Sequence, residues 1–407
     1  MRTLDLSCFG TTIIETAATA RRSDSAPTNA EAERRRDTPA ASPEAEGVDF
    51  GVAHVMRVIV QGDSQDDRDA VARDVGRSDS VRDRVPDVTI EFVDEISPSR
   101  LRVLDGGWTG YGDDGVYFLD PSTHTPLASV SQGERWGEAR IVCRRGVGRV
   151  PFLSAALDLA ALFHQWTPVH GSAWVTPEGK GVLVAGWAHS GKTGALLSAC
   201  EGGASPVGDD RILLARSGAR MVGMGRPVGV KDWHMAQLPL ASLGRRPFRR
   251  ALARTAPAFD ALSDVAPRGP GFRLAAKALD RLRRGLEVEL PLERLGAPAV
   301  DARVDVLIIL ETHRHASIVA ERAAPESTAR RLAAQTEGEL LPALRAQLAF
   351  TYAVPTGGWK YVGRAPAEAR SILEDATRDV PAYLVRHPYP CPLEELDAVI
   401  AGVVAEV

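Results

Sequence analysis

The run "GWAHSGKT", Gly186 to Thr193, fits the spacing G-x-x-x-x-G-K-[ST] in full. That spacing builds a phosphate cradle: glycines let backbone N–H groups turn inward on phosphate oxygens, the lysine neutralises β and γ charge, and the hydroxyl can ligate Mg²⁺. Gly186, Gly191 and Gly194 supply the turns, Lys192 and Thr193 the cation and hydroxyl, and Trp187, Ala188, His189 and Ser190 complete the nucleotide-binding loop. Only five of the 49 basic residues are lysines, which makes one at this position less incidental.

A second chemical word, "GDD", follows at 208–210. Phosphoryl transfer needs a base for the acceptor hydroxyl, a metal ligand and cationic support for the moving phosphoryl group. Asp209 and Asp210 can divide the first two tasks, because adjacent like charges favour one keeping a proton unless a metal offsets them. The same three residues also fit a type I turn between strands. His170 lies upstream in "HGSAW", with a strand-end histidine as its plain alternative. Arg226 and Lys231, in "RPVGVK", are candidates to reach phosphate or an acidic substrate. The run from Arg245 to Arg254, which includes Arg246, Arg249 and Arg250, reads as a lid, an acceptor-docking patch or a solvated basic face.

The elements around these words have the right order. "GVLVAG" is an apolar strand running into the loop, and "KTGALLSACEGG" is a helix stopped by glycines. "SPVGDDRILLAR" is a strand pair with the two acids between, and "VDVLIILE" (304–311) is a buried central strand. Helices are expected over "PFLSAALDLAALFHQW", "STARRLAAQTEGELLPALRAQLAF" and "PLEELDAVIAGVVA", the last with Leu393, Leu396, Ile400 and Val403 inward. "VPAYLVRH" is a late strand. Upstream, "VTIEFVD", "GVYFLD" and "ARIVCRR" read as antiparallel strands of a small β-rich unit, and "VAHVMRVIVQ" as a first strand. The aspartate-rich stretch after it reads as a solvated linker or loose helix.

The expected organisation is therefore a disordered tail over 1–48, a β-rich N-terminal region with an acidic linker over 49–150, and a P-loop kinase domain over 151–407. The tail is rich in Pro, Ala, Ser and mixed charge and holds too little apolar surface to offset its ordering entropy. At 407 residues, 44% hydrophobic and 25% charged, the whole has a globular composition. A formal charge of −4 gives no reason to expect nucleic acid as a partner. Cys8, Cys143, Cys200 and Cys391 form no CxxC pair, so neither a disulfide framework nor a thiolate metal site is expected. Asp5 and Glu15 interrupt the short apolar opening, and no long apolar run follows, so a cytoplasmic protein without a membrane span is expected.

Taken together, "HGSAW", "GKGVLVAG", the complete loop and "GDD" resemble the catalytic domain of the HPr kinase/phosphorylase superfamily, whose P-loop fold is related to phosphoenolpyruvate carboxykinase. Weaker likenesses to HPr kinase-related kinases run through "PDVTIEFVDE", "RPVGVK", the strand ending in Glu311 and "VPAYLV". The resemblance implies an α/β fold of the HPr kinase C-terminal type, with ATP and Mg²⁺ as cofactors. It implies Asp209 as base, Asp210 with Thr193 as magnesium or water-network partners, His170 as the group that tunes Asp209, and Lys192 as the γ-phosphate cation. It also implies self-association, since enzymes of this kind form hexamers. The region comparable to the family's Glu-x-Arg-Gly-x-Gly signature reads "MVGMGRPVGVK", without that glutamate, which implies an acceptor other than HPr. The expected function is a kinase acting on a Ser or Thr hydroxyl of a peptide or small protein, including a natural-product precursor peptide. A small-molecule hydroxyl kinase and a nucleotide-binding switch without an acceptor are the alternatives.

Overall fold

The structure is a computed structural model that describes residues 47–76, 84–98, 100–104, 108–133, 135–230, 288–315, 317–355, 359 and 361–407. The expected tail up to residue 46, Lys231 and the Arg245–Arg254 run lie outside the described residues. The chain is mixed α/β.

Its first part builds β1 (Val48–Val52), β2 (Met56–Gln61), α1 (Gln65–Val75), β3 (Val88–Val93), β4 (Arg102–Leu104), β5 (Thr109–Gly112), β6 (Gly115–Leu119), β7 (Pro126–Gln132) and β8 (Ala139–Arg144). These strands form one eight-stranded sheet in the order β1-β2-β3-β8-β7-β6-β5-β4. The sheet is larger than the small antiparallel unit expected, and mixed: β2–β3 and β3–β8 are parallel. A helical crossover is what permits the first of these pairs. That crossover is α1, drawn from the acidic stretch read as a linker or loose helix. Ser64 caps it, accepting from the Asp67 N–H at 3.3 Å, and Ala70, Val71 and Val75 are buried beneath its charged face.

The second part runs α2 (Leu153–Phe163), β9 (Trp166–Val169), β10 (Gly171–Val175), β11 (Gly181–Ala185), α3 (Lys192–Glu201), β12 (Ser205–Gly208), β13 (Ile212–Ala215), β14 (Arg220–Gly223) and β15 (Val228–Val230). It continues with β16 (Val288–Leu290), β17 (Asp301–Arg303), β18 (Val306–His313), β19 (Val319–Ala323), α4 (Pro325–Ala353), α5 (Ala365–Thr377), β20 (Ala382–Pro388) and α6 (Leu393–Ala405). A six-stranded sheet has the order β12-β10-β11-β18-β20-β19, with β11, β18 and β20 parallel at its centre. A four-stranded antiparallel sheet, β17-β14-β13-β9, lies beside it.

Strand β11 and the first halves of β18 and β20 are apolar because both of their faces are covered there. Val182, Val184, Val306 and Ile308 pack with residues of α3 and α6, whereas Leu183, Ala185, Leu307 and Ile309 pack with α4 and α5. A third core joins the two parts: Ile90, Tyr111 and Ile141 of the first sheet share it with Leu157 of α2 and with Leu340 and Phe350 of α4. Helix α4 thus passes through two cores, with Leu332 in one and Phe350 in the other. Among the described residues no helix is long and apolar enough to cross a membrane.

Candidate functional site

Strand β11 is buried along its whole length and ends at Ala185, just before Gly186, and α3 starts at Lys192. Between them the chain reverses through positive φ at His189 (65°) and Gly191 (93°). The Lys192 amine lies under the loop, donating to the Gly186 and Trp187 carbonyls at 2.7 and 2.8 Å. Ser190 is buried, while Trp187, Ala188 and His189 face outward. Two distant side chains brace the loop. Gln335 of α4 donates to the Gly186 carbonyl at 2.5 Å and to that of His170 at 3.1 Å, and His387 of β20 donates through Nε2 to the Ser190 carbonyl at 2.9 Å.

The "GDD" word lies where the chain leaves one sheet for another: β12 belongs to the six-stranded sheet and β13 to the four-stranded one. Gly208 is needed there, because a Cβ on it would stand 2.9 Å from the Cα of Gly223. Asp209 is only 7% exposed. It accepts from the Thr193 hydroxyl at 3.0 Å and from the Ser172 hydroxyl. Burial pushes its carboxyl above the ordinary range, against these two hydrogen bonds. Asp210 is the opposite: its backbone is left-handed at φ 67°, and its side chain is 56% exposed. Its carboxylate stands 3.6 Å from His170 Nε2 and 3.3 Å from Arg226 Nη1.

His170 was expected to tune Asp209, and here it has other partners. Its Nδ1 donates to Glu339 of α4 at 2.9 Å, which turns Nε2 toward Asp210. The His170 bond and the Arg211 guanidinium hold the Glu339 carboxyl below its usual range, in spite of partial burial. Arg211 in turn pairs with the buried Asp158 of α2. His170 stands between β9 and β10, outside both strands, where Glu339 and Asp210 hold its ring, while Ser172 within β10 supplies the hydroxyl that Asp209 accepts from.

Arg226 is almost fully buried and joins the two parts of the chain. It donates to the Asp74 carbonyl at the end of α1 at 2.7 Å, to Ser154 of α2 at 3.0 Å, and to Asp210. Burial and the neighbouring Arg211 pull its pKa down. Such a guanidinium is placed to hold Asp210 in position.

The loop, both acids, His170 and Arg226 open into one cavity of about 690 Å³. Arg73 and Arg149, from the N-terminal part, line it as well. The structure therefore brings together every described residue of the expected site except two outside the cavity lining: Gly186, whose carbonyl accepts from Lys192 and Gln335, and Trp187, whose exposed ring lies against Gly338 of α4. Sequence reasoning passed over Ser172, Gln335, Glu339 and Arg211. For Ser172 a signal existed, since it lies two residues from His170 in the same "HGSAW" word. Gln335 and Glu339 are one helical turn apart, yet more than a hundred residues from the groups they hold.

No family model matches this chain, and no curated protein matches it either.

Proposed function

We propose that the protein is an ATP- and Mg²⁺-dependent P-loop phosphotransferase of the HPr kinase-like type, moving the γ-phosphate to a hydroxyl. One observation carries the reading. The Thr193 hydroxyl, in the first turn of the helix after the loop, bonds Asp209, while the next residue, Asp210, opens into the same cavity beside His170. A phosphate cradle, a hydroxyl–carboxylate pair and an accessible carboxylate are the parts such a transfer needs.

Thr193 and Asp209 suit Mg²⁺, a hard cation that takes one or two carboxylates and completes its shell with water and phosphate oxygens. Among the described residues no three His, Cys, Asp or Glu side chains form a metal-holding group, and Mg²⁺ does not depend on one. When bound, the cation would offset charge on the donor phosphates. The geometry favours the reverse of the expected division between the acids. Asp209, buried and bonded by two hydroxyls, is the metal-side acid. Asp210, exposed and flanked by His170 and Arg226, is the base that takes the acceptor proton. Lys192 and the loop amides hold the phosphates in line. The acceptor is a Ser or Thr of a peptide or small protein, with a precursor peptide as a special case.

The test is incubation with γ-³²P-ATP, Mg²⁺ and native cell extract, alongside Asp209→Asn and Asp210→Asn, followed by separation by size. Label entering one peptide or protein and vanishing in both variants is the expected result. Label in the small-molecule fraction would move the acceptor to a metabolite hydroxyl. ATP binding with no labelled acceptor would replace the kinase with a nucleotide-dependent switch.

A further inference from the structure

The cavity lining has two unlike parts. Asp209, Asp210, His170 and Arg226 are all charged or ionisable. The turn between β20 and α6 presents Tyr389, Pro390 and Cys391, with Leu393 and Leu396 from the first turn of α6. This largely apolar part is fixed to the loop. His387 binds the Ser190 carbonyl at 2.9 Å, and Leu396 lies close enough that a Cβ on Gly191 would meet it at 3.2 Å.

The terminal phosphates of a triphosphate in the loop belong with Lys192 and Thr193, and Thr193 is bonded to Asp209. The remainder of the donor then has the other part of the lining left to it, which the His387–Ser190 and Leu396–Gly191 contacts hold against the loop. Among the described residues lining the cavity, Tyr389 is the only Phe, Tyr or Trp, and it is 67% exposed. An exposed aromatic face beside a phosphate cradle is what a nucleobase stacks on, and stacking accepts any base because every base has a π-face.

We propose that Tyr389, with Pro390 and Leu393 in the same lining, is the stacking platform for the nucleobase of the donor. The proposal rests on the nucleotide reading above and extends it to a subsite on a separate element. The platform supplies affinity for the base, while the loop supplies affinity for the phosphates, so the two contributions can be separated by a probe that has no base.

Calorimetric binding of ATP and of inorganic tripolyphosphate, each with Mg²⁺, is compared for the parent chain, Tyr389→Ala and Lys192→Ala. Tyr389→Ala is expected to weaken ATP about tenfold, the usual scale of one lost base stack, and to leave tripolyphosphate unchanged. Intact tripolyphosphate binding also serves as the fold control for that variant. Lys192→Ala is expected to weaken both ligands. In an independent measurement on the parent chain, 8-azido-ATP photolabelling is expected to fall on peptides containing 389–393. Equal losses of both ligands in Tyr389→Ala, no loss of either, or label mapped elsewhere would overturn the platform and leave the cradle standing. A parent chain that binds neither ligand would overturn the cradle itself.

Discussion

Asp209 places a carboxylate where water scarcely reaches, and its two hydroxyl donors offset only part of that loss. Its folded-state pKa lies above the unfolded one, so the native state binds the proton more tightly. Stability from this group is therefore greatest below the ordinary carboxylate pKa of about 4 and declines as pH rises through the folded value. Asp209→Asn keeps the acceptor oxygen and removes the charge. In EDTA at neutral pH it should raise Tm by roughly 2 °C, and with Mg²⁺ and ATP it should abolish transfer. That gain should fade below about pH 4, where the carboxyl is protonated in both states. A scanning-calorimetry series over pH checks both parts, and a lower Tm at neutral pH would contradict the burial argument. At this scale the loop and the acid pair were readable because their chemistry is local in sequence. The partner of His170 was not, since Glu339 comes from a helix 169 residues away.

Helix α1 shows what a sequence pattern can hide at the scale of an element. Its run of acids suggests solvent, yet Ala70, Val71 and Val75 suffice to seat it, and its last carbonyls reach Arg226. The seat is close: Gly76, at φ 71°, would put a Cβ 2.4 Å from the Gly225 carbonyl oxygen. Gly146 has a similar φ of 77° and open space around it. Gly146→Ala should therefore cost only backbone strain, about 1 kcal/mol. Gly76→Ala should cost about 2–3 kcal/mol and also slow transfer, because it pushes Asp74 away from Arg226. Urea unfolding of both variants makes the comparison, and equal costs would refute the close seat. The parallel pairs of the first sheet were equally hidden, for alternation marks a strand without naming its neighbours. Strands β11 and β18 were legible as apolar runs, α6 by the helical spacing of its apolar residues, and α3 by its place after the loop and its terminal glycines.

For the whole molecule, the expected domain boundary falls at residue 150, but the core does not stop there. Leu340, Ala343, Ala346 and Phe350 of α4 are buried against the N-terminal sheet, with Tyr111 stacked on Phe350 at 6.4 Å. A chain of residues 151–407 alone would expose that face. It should show no cooperative thermal transition and a weak near-ultraviolet circular dichroism signal; a sharp melt would show that the second part folds independently. Helix α4 also has a quieter consequence. Gln335 holds the loop after β11 at one point along it, and Phe350 is embedded in the other core about 22 Å further on, at 1.5 Å per residue. Two equilibria that share one strut are reciprocal: whatever factor a bound ligand adds to the integrity of the N-terminal sheet, a loosened sheet subtracts from the affinity for that ligand.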